Sequence, residues 1–356
     1  MSHFEQRLEA DLNSIRDWIW NLGEEVEIAL RNAKKTLLLR DEELAYSTVL
    51  RDHPINRDSR KCDRLCHMFI ARHLPGAGHL REMASTIRVN VALERIGDYA
   101  VTICREAMQL SGPLPEPFAT NLDSVADESI SILSQSRQSF RDGNAELATA
   151  LMQQCRQVES KMDGVYENLM AADDKLDGQT MLAIFVVFSL LKRVADQAKN
   201  ICDQTVYSVL GVAKIAKTHK ILFLDQPGSG IGQLAVAIGR KSFAENVAYS
   251  CATPGQADQL SSELETFLLD KGLSEENLAT EQLEGLAYDV SEFSIIISLN
   301  GAYSDYLEKV PFHSTALNWP IEGTDAPIDR TAQYRNLRAN IDNLVNLVVG
   351  DEALGA

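Results

Sequence analysis

The sequence is poor in basic residues for its length. Its 356 residues include 34 lysines and arginines against 51 aspartates and glutamates, which gives a formal net charge of −17. Affinity for nucleic acids comes largely from lysine and arginine side chains that displace counterions from phosphates. We therefore expect no direct nucleic-acid partner.

The sequence also lacks a long apolar run and a secretory leader. Its longest apolar run, MLAIFVVFSLL at 181–191, is about half of the roughly 20 residues that a membrane-spanning helix needs, which predicts a buried helix. The amino-terminal stretch is charged and amphipathic, and the six cysteines are scattered among apolar helical patterns, as in a reducing compartment. These features predict a cytoplasmic protein that meets a membrane only through its partners.

Helical periodicity dominates the first part of the chain. From Phe4 to about Leu210, apolar residues recur every three or four positions without strand alternation, which predicts an all-helical region. Segments rich in Pro, Gly, Asp or Asn predict breaks between about six helices, at 51–56, 73–79, 111–117, 141–146 and 173–178.

Two short sequences recur within this helical region. RDEELA at 40–45 returns as RDGNAELA at 141–148, and LERIGDYA returns as LKRVADQA, with Asp98 corresponding to Asp196. A helical unit that repeats in this way predicts two three-helix bundles packed side by side, at 1–112 and 117–213.

The repeated motif carries carboxylates at a spacing that suits a hard cation. Glu94 and Asp98 are four residues apart, so both leave one helix face about one turn apart, and Gly97 leaves room for another helix. The second copy keeps Asp196, but Lys192 replaces the glutamate. Spacing alone favours ordinary surface ion pairs over metal. Binding of a divalent or iron-type ion at Glu94, Asp98 and Asp196 is the alternative.

The motif VNVALERIGDYA, followed by the degenerate LLKRVADQAKNICDQ, resembles the signature of the PhoU family of bacterial phosphate-signalling regulators. The resemblance implies two tandem three-helix bundles whose acidic motifs hold metal, which would place metal at Glu94 and Asp98. It also implies contacts with the ATPase of a phosphate ABC transporter and with a sensor histidine kinase. Lys192, and His79 where the family usually has aspartate, depart from the family pattern.

The remaining part of the chain, 217–356, alternates strands and helices, which predicts a parallel α/β layer. Within ILFLDQPGSGIGQLAVAIGR at 221–240, a strand enters a glycine-rich loop and then a helix, an arrangement that often holds phosphate. Weak anion binding there is one interpretation and a turn kept for close packing is the other. The amides that would bind an anion belong to Gly228, Ser229, Gly230 and Gly232.

This part resembles low-molecular-weight protein tyrosine phosphatases and thioredoxin-coupled arsenate reductases. In that fold, loop amides and an arginine hold an oxyanion against a cysteine thiolate. Here Asp225 and Ile231 stand at the cysteine and arginine positions. A carboxylate would repel the anion that it faces, so the resemblance implies a catalytically degenerate domain.

The sequence as a whole predicts a multidomain protein, with two all-α three-helix bundles followed by an α/β domain with a parallel sheet. The function predicted is that of a non-enzymatic regulator of phosphate uptake and phosphate-responsive signalling. The alternatives are a phosphatase or arsenate reductase-like enzyme and a metal-binding or storage protein. Pairing of two chains into a homodimer is left open by the sequence.

Overall fold

The structure is a computed structural model. It describes residues 3–110, 112–171, 176–211, 218–242, 247–255, 259–274, 276, 278–283, 290–311, 314–322 and 328–349. The chain divides into two compact units, Met1–Lys214 and Ile215–Ala356. The domain ends expected at 213 and 217 lie outside the described residues.

The described part of the first unit is built from six long helices, as the periodicity predicts. They are α1 (His3–Leu39), α2 (Glu42–His73), α3 (Ala77–Gln109), α4 (Phe118–Asp142), α5 (Ala145–Ala171) and α6 (Gly178–Leu210). Local sequence starts two of them, because the Asp41 and Asp177 side chains accept hydrogen bonds from the N–H groups of Leu44 and Thr180.

The predicted helix break at 51–56 is wrong. Helix α2 runs through this segment with Pro54 inside it, although a proline removes a backbone N–H group and usually interrupts a helix. The helix continues because Thr48 and Ile55, on either side of the proline, are both buried in the packed unit. The first reversal of the chain lies earlier, next to Arg40, which has a φ of 54°.

Both helical repeats share one apolar core. Helix α3 lies against α6, and α1 lies against α4. One large cluster of buried residues includes side chains of all six helices, with Leu93 and Ile96 of α3 and Ile184 and Phe188 of α6 fully buried, and a smaller cluster lies between α5 and α6. Because each such side chain contributes roughly 1.5–3 kcal/mol when it is removed from water, each repeat depends on the other for stability.

A buried arginine ties α4 to α1. The Arg137 side chain is 5% exposed and donates hydrogen bonds to Glu27 Oε2 at 2.5 Å and to the Trp20 carbonyl at 3.1 Å. A glycine on α1 allows this approach, since a Cβ atom at Gly23 would lie 2.3 Å from Arg137 Nε. The ion pair therefore joins the first repeat to the second through a position where a larger residue does not fit.

Helix α6 is long and apolar enough to cross a membrane if only its length and composition are considered. Half of its most apolar window, 50%, is buried inside the helical unit. The apolar run 181–191 lies in this helix, where Ile184 and Phe188 are buried while Leu182 and Phe185 are exposed.

The described part of the second unit contains a parallel five-stranded sheet with the order β3-β2-β1-β4-β5. Its elements are β1 (His219–Leu224), α7 (Ile231–Ser242), β2 (Val247–Thr253), α8 (Ser262–Asp270), β3 (Glu281–Gln282), β4 (Ile295–Leu299), β5 (Thr315–Trp319) and α9 (Arg330–Val349). The predicted fold class, helical bundles followed by a parallel α/β domain, is confirmed.

The order of the strands determines where a ligand would bind in this sheet. From β1 the chain adds β2 and β3 on one side and then β4 and β5 on the other, so the topology switches direction beside β1. Open parallel sheets bind ligands at the carboxyl ends of the strands at such a point. The glycine-rich loop follows β1 there.

Candidate functional site

The acidic motif of the first repeat lies where α3 packs on α2. Glu94 is half-buried and Asp98 is exposed on the same face of α3. Gly97 lies between them and faces α2, because a Cβ atom built on it would lie 3.5 Å from Ile55 Cγ2 and 3.6 Å from Asp52 Oδ1. These distances leave room for a methyl group, so Gly97 is not required by contact alone.

A third carboxylate, Asp52 of α2, joins this pair. Its Oδ2 atom accepts a hydrogen bond from Asn56 Nδ2 at 2.7 Å, and its Oδ1 atom is buried with no hydrogen-bond partner among the described residues. Sequence reasoning missed Asp52 because it treated 51–56 as a break. The signal that could have found it is the pair of Asp52 and Asn56 at the i, i+4 spacing of a continuous helix.

Burial and neighbouring carboxylates raise the pKa values of Glu94 and Asp52. Burial, followed by the charges of Asp98 and Asp52, raises the pKa of Glu94, and burial, followed by the charge of Asp98, raises the pKa of Asp52. A nearby cation would relieve this repulsion. As the side chains stand, however, no group of three or more His, Cys, Asp or Glu among the described residues is arranged to hold a metal ion. The charges of Glu94, Asp98 and Asp52 would attract a cation, but their side chains do not form a preformed coordination sphere.

The corresponding site of the second repeat has a different charge. Lys192 is half-buried and Asp196 is exposed on α6. Burial raises the pKa of the Cys155 thiol on α5 to about 11, with Lys199 opposing and Asp196 adding to this shift. Among the described side chains, Asp196 does not join Glu94 and Asp98 in one metal-binding group.

The glycine-rich loop of the second unit spans 225–230, between β1 and α7. Gly228 and Gly230 have φ angles of 76° and 72°, in the left-handed region that favours glycine. A Cβ atom at Gly230 would also lie 2.9 Å from Leu264 Cδ2. The loop is therefore a tight turn held against α8.

The carboxylate of Asp225 lies inside this loop and is bonded by it. The residue is 2% exposed. Its Oδ1 atom accepts a hydrogen bond from the Gln226 N–H at 2.8 Å, and its Oδ2 atom accepts from the Gly232 N–H at 2.7 Å and from the Ser229 hydroxyl. Ser229 Oγ in turn accepts from the Ile231 N–H at 3.1 Å. Asp225 thus accepts the hydrogen bonds that a bound anion would take at the start of α7.

The four predicted anion-binding residues divide into two pairs. Ser229 and Gly232 donate to Asp225, whereas Gly228 and Gly230 provide the backbone conformation of the turn. Burial raises the pKa of Asp225, and the hydrogen bonds from Ser229 and Gly232 oppose that shift. The Asp225 carboxylate therefore occupies the position among the Ser229 and Gly232 donors that an external anion would take, and its charge would repel that anion.

An arginine that sequence reasoning missed lies beside this loop. Arg330, the first residue of α9, donates from Nη1 to the Ser229 carbonyl at 2.9 Å and to Gln333 Oε1 at 2.9 Å. Its side chain is 11% exposed and its Nε lies 3.9 Å from a Glu263 carboxylate oxygen. Arg330 follows the loop by 101 residues, so no local motif reveals it. It supports the loop backbone through the Ser229 carbonyl.

Comparisons with known proteins assign the helical unit to a protein family. A family model described as the PhoU domain matches residues 19–107 and 122–205. The chain is 27% identical over 212 residues to the phosphate-specific transport system accessory protein PhoU of Escherichia coli (strain K12), covering 59% of this chain and 88% of that protein. The helical unit is a tandem pair of PhoU domains.

Structure comparison agrees with this assignment. The crystal structure of PhoU from Pseudomonas aeruginosa matches with a TM-score of 0.56 at 27% identity, covering 57% of this chain and 99% of that chain. An arsenate reductase in the phosphate binding state covers 36% of this chain and 98% of that chain, with 14% identity and a TM-score of 0.30. A match at this level assigns no chemistry to the α/β unit.

We predict that Asp52→Asn stabilises the PhoU pair at neutral pH. The pKa of Asp52 is raised on folding, so the folded chain holds its proton more tightly than the unfolded chain, and stability falls as pH rises through the raised pKa. The neutral amide removes this dependence and can still accept from Asn56. The thermal unfolding midpoint, measured in chelator, should rise at pH 7, and the difference should shrink as pH falls through the raised pKa towards about 3.9, the ordinary aspartate pKa, below which it should vanish.

The control for Asp52→Asn is Asp58→Asn, six positions further along α2, which should move the midpoint little at either pH. A lower midpoint for Asp52→Asn at pH 7 would contradict the repulsion described for the three carboxylates.

We predict that Asp225→Ala makes the α/β unit responsive to phosphate. The substitution leaves the Gly232 N–H and the Ser229 hydroxyl without their acceptor, which costs about 1–3 kcal/mol for each buried group. Phosphate at about 100 times its Kd should restore up to about 2.7 kcal/mol. Hydrogen exchange of 221–240 in the full chain, with and without phosphate, measures the effect, and wild type should not respond.

Two controls accompany this experiment. Asp270→Ala removes a carboxylate of the same unit that is 76% exposed, and it should leave 221–240 unchanged. Sodium chloride at matched ionic strength separates specific rescue from salt screening. Equal protection of wild type and Asp225→Ala by phosphate would mean that the loop binds anions without displacing Asp225.

Proposed function

We propose that this chain is a cytoplasmic, non-enzymatic regulator of phosphate uptake and phosphate-responsive signalling that acts through contacts with other proteins. The observation that carries the proposal is the match of PhoU domains to both helical repeats. Relatives with this pair are named phosphate-specific transport system accessory proteins, in Escherichia coli and in Serratia marcescens.

The contacts of the glycine-rich loop support a role without catalysis. Asp225, at the position of a nucleophile, is held by Ser229 and Gly232. A carboxylate needs a metal or another activating group before it attacks phosphate. Arg330, which lies beside the loop, donates to the Ser229 carbonyl and to Gln333. The Gln226 and Gly232 N–H groups and the Ser229 hydroxyl are therefore committed to Asp225.

The partners we propose are the ATPase of a phosphate ABC transporter and a sensor histidine kinase. The chain would then reach the membrane only through these proteins. Its net charge of −17 favours protein partners over nucleic acid. Pairing of two chains is a separate question, which sedimentation of the purified protein answers.

The test is affinity capture of the tagged full chain from its own cells, after growth with abundant phosphate and after phosphate starvation. We expect the transporter ATPase and the histidine kinase to be enriched over an unrelated tagged acidic protein, and their amounts to differ between the two conditions. The purified chain should neither hydrolyse an aryl phosphate nor reduce arsenate above background. If neither partner is captured and the purified chain shows turnover that disappears in Asp225→Ala, the protein is an enzyme and the proposed regulatory function is wrong.

We also propose that the first repeat binds a divalent or iron-type metal in preference to the second. Glu94, Asp98 and Asp52 repel one another there, and carboxylate oxygens are ligands that hard cations prefer. In the second repeat, the Lys192 ammonium competes with a cation for Asp196. Metal would therefore occupy Asp196 weakly.

Metal content of the purified full chain, measured by mass spectrometry after metal loading and desalting, tests this preference. The double variant Glu94→Gln with Asp98→Asn should lose most of the bound metal. The matched variant Asp196→Asn should retain it. Anomalous scattering that places metal chiefly beside Asp196 would reverse the assignment.

A further inference from the structure

A cleft opens inside the helical unit where the two PhoU repeats meet. Its volume is about 410 Å³. Its walls come from α1 and α3 of the first repeat and from α4 and α6 of the second. Small-molecule sites in proteins typically measure roughly 300–1,000 Å³. The lining includes neither Glu94 nor Asp98, so the cleft is distinct from the acidic motif.

The floor of the cleft is apolar. Ile19 of α1 and Val89 and Leu93 of α3 are buried beneath it, and Phe140 of α4 is partly buried beside them. An organic ligand would remove apolar surface from water here, at about 25 cal/mol for each Å².

The walls of the cleft carry arginines. Arg16, Arg137 and Arg141 line it, together with two acids, Glu82 and Asp142. The lining is thus richer in basic groups than the chain as a whole, whose formal charge is −17, although Glu27, just outside the lining, offsets the charge of Arg137. Arg141 is the basic group to which an anionic occupant would bind.

The three arginines differ in how firmly they are held. Arg16 bonds to Glu82 at 2.6 Å, and Arg137 is buried against Glu27. Arg141 is exposed, and its guanidinium lies 4.3 Å from the centre of the Trp20 ring. A ligand can therefore reach Arg141 without breaking one of the ion pairs of Arg16 or Arg137.

The amino terminus of α3 adds a second attraction for negative charge. Gly78, in its first turn, lines the cleft. The N-cap residue Gly76 makes no side-chain cap, and the first turn contains no acidic residue. The leading N–H groups of a helix have no partner within the helix, and they favour an anion.

We propose that this cleft binds a small organic anion. Its phosphate or carboxylate group pairs with Arg141 and the start of α3, and its apolar body lies on Val89 and Leu93. Inorganic phosphate is a poor fit, because a water molecule has a share of about 30 Å³ and a bare ion would leave most of the cleft and its apolar floor wet. Since both repeats form the walls, such a ligand bridges the two PhoU domains.

Isothermal titration of the full chain tests the proposal with four probes: AMP, ATP, 4-hydroxybenzoate and inorganic phosphate. We expect at least one organic probe to bind with a Kd below roughly 1 mM and inorganic phosphate to bind at least 10-fold more weakly. Binding of the nucleotides alone identifies a phosphate group as the anchor, and binding of 4-hydroxybenzoate alone identifies a carboxylate.

Two pairs of variants locate the site. Gly78→Glu places a carboxylate at the mouth of the cleft, where a Cβ atom meets nothing within 4 Å, and Gly78→Gln adds the same bulk without charge. We expect Gly78→Glu to weaken binding at least 10-fold relative to Gly78→Gln. Arg141→Gln should weaken it similarly, whereas Arg193→Gln, an exposed arginine of α6 outside the lining, should not.

Three results would overturn the proposal. The first is the absence of binding for all three organic probes at the affinity stated. The second is binding that Gly78→Glu and Arg141→Gln leave at the wild-type level, since the ligand would then lie elsewhere. The third is inorganic phosphate that binds as tightly as the organic anions, because the apolar floor would then contribute nothing.

Discussion

The packing of α3 against α6 is the constraint on which the rest of the helical unit depends. Each helix buries one face in the shared core, at residues such as Ile96 and Phe188, so the acidic positions must point elsewhere. Glu94 consequently lies within reach of the Asp52 charge on α2, and the Asp196 charge acts on Cys155 of α5. The same packing leaves the cleft at the junction of the repeats. The positions of both candidate sites thus follow from one apolar contact.

Single side chains alter the chemistry of both units while the backbone arrangement persists. Lys192 replaces the glutamate of the acidic motif in the second repeat, at a half-buried position where either charge can reach solvent. Asp225 in the α/β unit is buried, and it is accommodated because Gln226, Gly232 and Ser229 all donate to it. Solvent stabilises the changed charge at Lys192, and hydrogen bonds from the loop stabilise the charge at Asp225.

The sequence predicted the fold class well because apolar periodicity and the alternation of strands and helices are local signals. It failed at 51–56, where Pro54 is a local helix breaker but the surrounding core holds the helix together. Asp52 was missed for the same reason. Arg330 was missed because its contact with Ser229 spans 101 residues. The sequence predicted that Asp225 repels anions. It could not predict that the Asp225 side chain is buried and bonded within its own loop, because those bonds depend on the folded backbone.

The central claim is that the two PhoU repeats form one cooperative unit, and hydrogen exchange of the Gly23→Ala full chain tests it most directly. A Cβ atom there would lie too close to the Arg137 guanidinium, so that side chain must leave Glu27 and the Trp20 carbonyl, and the loss of these buried bonds outweighs a gain of about 1 kcal/mol in helix propensity. We predict faster exchange in the core of both repeats, with 221–240 unchanged. Faster exchange confined to one repeat would contradict the claim.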